Sequence, residues 1–286
     1  MMPPAMVDAA APGLVELLGY GFLRNAVAAG LLAAVLCGVV GTFVVVRRLV
    51  FLGGGIAHAA FGGLGACYWA GIDPRIGAAA VAVVSALVLG RTEQVRGRWG
   101  DAVIGVLWAV GMAVGIVFLH ATPGYAPDLM TYLFGNILTV GDADVALTAT
   151  LVAVVLLLLA LYFKELTALA FDPEFAAVQG VPVRAAGTAL LVVVALAVVL
   201  LIHLVGILLV IALLAIPPAI SLMLVHRFGV VMLLSTVIGA AVTLGGLALS
   251  WAWDLPSGPV IVLLGAALML AVAGGKRLAR LRGPAG

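Results

Sequence analysis

The sequence predicts an all-α, polytopic membrane protein of about nine transmembrane helices, with eight to ten the range its soft boundaries allow. Three observations predict it. The 286 residues are 65% hydrophobic and 9% charged, with a mean hydropathy of +1.33. No soluble core needs that much apolar surface. The apolar residues gather in runs that reach bilayer length, for which about 18 residues suffice. The 14 Lys and Arg residues fall almost entirely on alternate connections.

The runs cover residues 25–46, 50–70, 76–90, 101–120, 145–163, 185–204, 205–225, 229–252 and 258–275, within a single transmembrane domain, 1–286. The first ends at Arg47-Arg48. The second is glycine-rich and holds His58 at its middle. The fourth carries Trp108 and Met112 at helical spacing, a packing pattern, and ends at His120. Segment 128–140 is too short to span, which suits a re-entrant or interfacial helix. The sixth and seventh runs divide near His203 to Gly206. The seventh is interrupted by Pro217-Pro218. Proline removes backbone donors and frees carbonyls on the preceding turn. In a membrane those carbonyls need partners, which places this helix break inside the bundle or against a cavity. The eighth run ends in Trp251 and Trp253, which fit an interfacial aromatic belt. The ninth leads into a basic tail, 276–286.

Twelve of the basic residues share one side: Arg47, Arg48, Arg91, Arg96, Arg98, Lys164, Arg184, Arg227, Lys276, Arg277, Arg280 and Arg282. Only Arg24 and Arg75 lie on the other. Positive charge stays inside, so the twelve are cytoplasmic, as is the C-terminus. With nine crossings the N-terminus is outside. The outer side also carries Asp73, Asp128, Asp142, Asp144 and Asp254. This acidic mouth either attracts cations or is what the positive-inside bias leaves behind.

His58 is the sharpest functional candidate, because an ionisable residue at such depth is costly and marks a functional site by default. Gly54, His58 and Gly62 share one helical face, and small residues four apart let helices approach closely. The imidazole therefore faces a neighbouring helix or a cavity. It serves either a pathway or a helix–helix hydrogen bond. His120, with Asp128 nearby in sequence, either guides an ion at the mouth or is a solvated interfacial histidine. His203 suits a hydrogen-bonded structural role, and His226 beside Arg227 is flanking charge.

The longest inner connection, 164–184, has its own signals. Asp172 is a good N-cap and Pro173 suits the first helical position. Glu174 favours the positive helix end, and Gly180 suits a stop. A short cytoplasmic helix is expected there. Phe171 and Phe175 read as docking residues, or else as the face of a helix resting on lipid.

Several classes are excluded. No Gly-x-x-x-x-Gly-Lys-Ser/Thr is present, so this chain does not itself hydrolyse ATP. No buried carboxylate relay suggests a proton-driven exchanger, and no nucleophile–base pairing suggests a membrane enzyme. Cys37 and Cys67 form no disulfide framework or zinc set. The net charge of +2 says little about partners, because where the charges fall matters more; no nucleic-acid partner is expected. Met1 to Ala11 lacks a basic n-region, so no cleavable signal peptide is expected.

Five stretches in order carry a family resemblance. They are Arg47-Arg48 with the segment ending in His58; Pro127-Asp128 through Gly135; Phe171 to Gly180; Ile216-Pro217-x-Ala219; and Asp254 to Pro259. Together they resemble the permease subunit of bacterial ABC importers for zinc, manganese or iron, the ABC-3 type. The match runs from about Gly41 to Leu270. The resemblance implies a fold like that of the vitamin B12 and iron-chelate permeases. It implies residence in the bacterial plasma membrane and a second permease copy, expected to form a homodimer. It also implies two cytoplasmic ATP-binding subunits and an external binding protein that delivers the ion. No permanent cofactor is implied; the divalent metal is cargo. Phe171, Asp172, Glu174 and Gly180 match the region that docks on the ATPase. There is one departure: such permeases usually carry Asp four residues before the histidine, and here that position is Gly54. Zinc and manganese sites combine imidazole with carboxylate, so His58 alone is a weak site. A chelated cargo, such as a siderophore or corrinoid complex, is the alternative; a self-sufficient secondary carrier is a further one.

Overall fold

The computed structural model describes residues 20–91, 100–123, 135 and 137–282. Among them nine helices are long and apolar enough to cross a membrane. In chain order they are α1 (Gly21–Val46), α2 (Val50–Trp69), α3 (Pro74–Arg91), α4 (Gly100–Ala121), α5 (Asp142–Leu161), α8 (Val183–Val205), α9 (Ile207–Leu224), α10 (Phe228–Trp253) and α11 (Ser257–Arg282). Two short helices, α6 (Phe163–Phe171) and α7 (Pro173–Val178), join α5 to α8. The nine runs read from hydropathy are these nine helices, and the protein is an all-helical membrane protein.

Helices α1, α2 and α8 are the most buried, while α4, α5 and α11 turn most of their surface outward. The outward side chains are apolar, among them Val106, Val117, Leu157, Leu161, Leu263 and Leu270. That arrangement suits a hydrocarbon surrounding. Helix α1 packs against α8, α9 and α10, and α2 packs against α3 and α4. One end of the bundle gathers Arg47, Arg48, Arg91, Lys164, Arg184 and Arg227; the opposite end carries Arg24 and Arg75. At that second end Tyr20, Trp69, Trp251 and Trp253 are exposed, as an aromatic belt requires.

The division between α8 and α9 is a single residue. Gly206 has φ 80° and ψ 160°, a conformation open essentially to glycine alone. It breaks an apolar stretch that would otherwise continue as one helix. Gly135 lies directly against this joint: a Cβ there would collide with the Val205–Gly206 backbone. Ile137 and Val140 are buried beside it, and Asn25 Nδ2 donates to the Val140 carbonyl at 3.2 Å. The end of segment 128–140 is thus packed at the Arg24/Arg75 end, as a 3-10 turn over Ile137–Thr139. Residues 124–134, with Asp128, lie outside the described residues.

Pro217 and Pro218 do not break their span. Helix α9 runs through both without interruption. The physical reason lies in α1. Pro218 cannot bond the carbonyl of Leu214, and Gly41 brings the α1 backbone onto that oxygen. A Cβ at Gly41 would lie 2.5 Å from it. The α1 backbone thus covers the carbonyl that has lost its donor, in a buried part of the bundle, as a membrane interior requires. Ser221 adds a hydroxyl bond to the Pro217 carbonyl at 2.9 Å.

Candidate functional site

Glycines set the geometry around His58. A Cβ at Gly62 would lie 2.9 Å from the Gly111 carbonyl of α4, and one at Gly65 would lie 2.5 Å from that of Gly115. On another side of α2, Gly63 and the Gly77 of α3 each occupy the space where the other's Cβ would fall. The small residues therefore form two helix–helix seams rather than the wall of an open cavity. Such seams are how membrane helices approach without a hydrophobic driving force.

Within the seam His58 is 8% exposed. Its Nδ1 lies 2.8 Å from the Gly54 carbonyl oxygen, one turn earlier. A carbonyl only accepts, so this bond requires the proton on Nδ1. The lone pair of the neutral ring is then on Nε2. A ligating histidine uses the same arrangement: one nitrogen donates to a carbonyl and the other meets the metal. The ring also stacks on Trp108 of α4, with centroids 4.0 Å apart and planes 29° apart. Sequence reasoning assigned Trp108 to packing and left the imidazole uncovered. Only the pairing of α2 with α4 shows the contact.

Gly54 is not forced by crowding. A Cβ there would meet Ile211 Cδ1 at 3.7 Å and Trp108 Cζ3 at 3.9 Å, ordinary contacts.

The other candidates lie elsewhere. His120 is exposed at the end of α4, twelve residues beyond Trp108. At 1.5 Å per residue that is about 18 Å along the helix. It does not share an ion with His58. Among the described residues no three His, Cys, Asp or Glu side chains gather as a metal-binding group. His203 Nε2 is buried without a hydrogen-bond partner among the described residues, so the expected hydrogen-bonded role is not met at that atom. His203, Arg75 and Asp144 line a cavity of about 170 Å³. Arg75 pairs with Asp144 at 2.7 Å, and Arg24 approaches Asp142 at 3.6 Å. Both basic residues of this end are thus spent on two of its acidic ones.

The 164–184 connection takes the local shape its residues dictate. Asp172 accepts a hydrogen bond from the Phe175 amide at 2.9 Å, capping α7, and Pro173 follows as its first residue. Gly180, with φ 83°, ends the turn, its amide donating to Ala177 at 3.0 Å. Helix α6 was not anticipated. It carries Phe171, 61% exposed, whose ring meets Phe228 of α10 edge-on at 5.4 Å. Phe228 in turn touches Phe43 of α1 at 5.0 Å. Phe175 and Val178 are exposed on α7.

Residues 19–274 match the model of the ABC 3 transport family. The chain belongs to that family. An uncharacterized membrane protein of Synechocystis sp. is 40% identical over 251 residues, 88% of this chain and 89% of that one. The manganese transport system membrane protein MntC of Halalkalibacterium halodurans is 34% identical over 253 residues, 88% of this chain and 87% of its own. PsaBC of Streptococcus pneumoniae, solved with a Fab, superposes with a TM-score of 0.81 at 29% identity, covering 90% of this chain and 93% of that one. The chain is therefore the membrane permease of an ABC transporter and not an enzyme; ATP hydrolysis belongs to a separate subunit.

Proposed function

We propose that this permease forms the path of an importer for free divalent transition-metal ions, manganese foremost, with zinc and iron as its competitors. The observation that carries the reading is the state of His58. Its Nδ1 proton is held by Gly54, so Nε2 offers a lone pair at mid-helix, where the other buried residues of α2 are apolar or glycine. The relatives named for manganese or metal transport support the cargo class.

One imidazole per chain is a weak site. A second permease copy would bring a second imidazole, and import requires release as well as capture. The metal is cargo and not a resident cofactor. The end bearing Arg47, Arg48 and the C-terminal tail 276–286 faces the cytoplasm of a bacterial cell, by the positive-inside rule. There α6 and α7 receive the ATPase through Phe171, Asp172, Glu174 and Gly180. Two such ATPases drive alternating access, and an external binding protein delivers the ion to the opposite end. His120 belongs to that mouth.

Proteoliposomes holding the permease, its ATPase and its binding protein test the cargo. ATP-driven uptake of labelled manganese should be competed by free zinc and iron(II). Uptake only of a siderophore or corrinoid complex would move the chain to the chelate class.

A further inference from the structure

We propose that Trp108 is a positioning residue for His58: its indole fixes the plane of the imidazole so that Nε2, and no other atom, is offered to the ion. This rests on reading His58 as a pathway ligand.

Two contacts hold the imidazole, and they act on different freedoms. The bond from Nδ1 to the Gly54 carbonyl fixes one ring nitrogen but permits the ring to tilt about that bond. The indole limits the tilt, because it stacks on the imidazole with ring centroids 4.0 Å apart and planes 29° apart. The same indole reaches the neighbourhood of Gly54: its Cζ3 would stand 3.9 Å from a Cβ at that position. It therefore spans both the ligand and the acceptor that sets the ligand's tautomer.

The stack depends on the seam. The close approach of Gly62 and Gly65 to Gly111 and Gly115 brings α4 near enough for ring-on-ring contact. Trp108 is also the more outward of the pair, 37% exposed against 8% for His58. An aromatic face attracts cations, so the covering group does not repel the cargo. Partners that orient a ligating histidine typically matter roughly 10- to 100-fold in affinity or activity.

The test uses the assembled transporter with Trp69, Trp99, Trp251 and Trp253 changed to Phe, so that Trp108 is the permease's one indole, and the same complex carrying Trp108→Phe as well supplies the partner background that is subtracted. Co2+ should quench that emission saturably, Mg2+ should not, and His58→Ala should remove the saturable part. In the otherwise native transporter, Trp108→Ala should lower Co2+ uptake by roughly 10- to 100-fold, with Trp108→Phe recovering most of it. If Trp108→Ala fails to assemble with the ATPase, the emission titration, which keeps the indole, decides. The proposal falls, and the pathway reading stands, if His58→Ala abolishes uptake while the Trp108 emission gives no saturable response. If His58→Ala and Trp108→Ala both transport normally, the pathway reading falls with it.

Discussion

Replacing Asp172 by Ala probes the ATPase-docking assignment at the point where the structure gives a magnitude. The carboxylate accepts one hydrogen bond, from the Phe175 amide at 2.9 Å. Losing an N-cap acceptor costs about 1 kcal/mol, roughly fivefold in the helix equilibrium. For a long helix that loss is minor. Helix α7 has six residues, and helices so short are marginal without outside support. Its side chains give limited support, since Ala176 is buried while Phe175 and Val178 are exposed. Asp172 itself is exposed, so the change should leave insertion and the bundle intact. ATP-driven uptake in proteoliposomes should then fall by up to roughly fivefold, with less ATPase recovered on the purified permease. Asp172→Asn keeps an acceptor and should restore most of both. Wild-type uptake and ATPase recovery in Asp172→Ala would overturn the docking assignment and leave α7 as a helix resting on lipid.

Gly180→Pro should abolish coupled uptake while the permease still inserts. The φ of 83° is closed to proline, and the amide bonded to Ala177 would be lost; ATPase pull-down beside an uptake assay reads it. Cysteines placed at the exposed positions Asp73 and Leu255 should react with an impermeant thiol reagent in intact cells, and one at Gly180 should not. Reversed labelling would invert the topology. Gly54→Asp should raise metal affinity in the path and slow turnover, because a Cβ fits beside Ile211 and Trp108 and adds a carboxylate near the imidazole. Equilibrium metal binding compared with uptake rate separates the two effects.

Hydropathy and charge made the membrane helices legible because bilayer length and lysine–arginine bias are properties of the chain itself. The α8–α9 division was readable for the same reason: a glycine stands where an apolar stretch exceeds one span. The cap and stop of α7 were readable because Asp, Pro and Gly act on their own backbone. Pro217 and Pro218 misled, since the backbone that covers the Leu214 carbonyl belongs to Gly41, more than 170 residues away in the chain. The contact of Trp108 with His58 was hidden for a related reason. Nothing in its own sequence neighbourhood says that α4 faces α2, and the mutual fit of Gly62 with Gly111 appears only in three dimensions. Helix α6 was missed because its residues from Lys164 on were read as part of the 164–184 connection, with a helix expected only after Asp172.

The proposed function stands on the imidazole of His58 taking part in moving the ion. The most direct measurement is ATP-driven manganese uptake by His58→Ala, in transporter shown to assemble fully with its ATPase. A severe loss of uptake with assembly preserved is the expected result. Uptake at the wild-type rate would contradict it, leaving His58 as a structural residue of the α2–α4 seam and placing the path elsewhere.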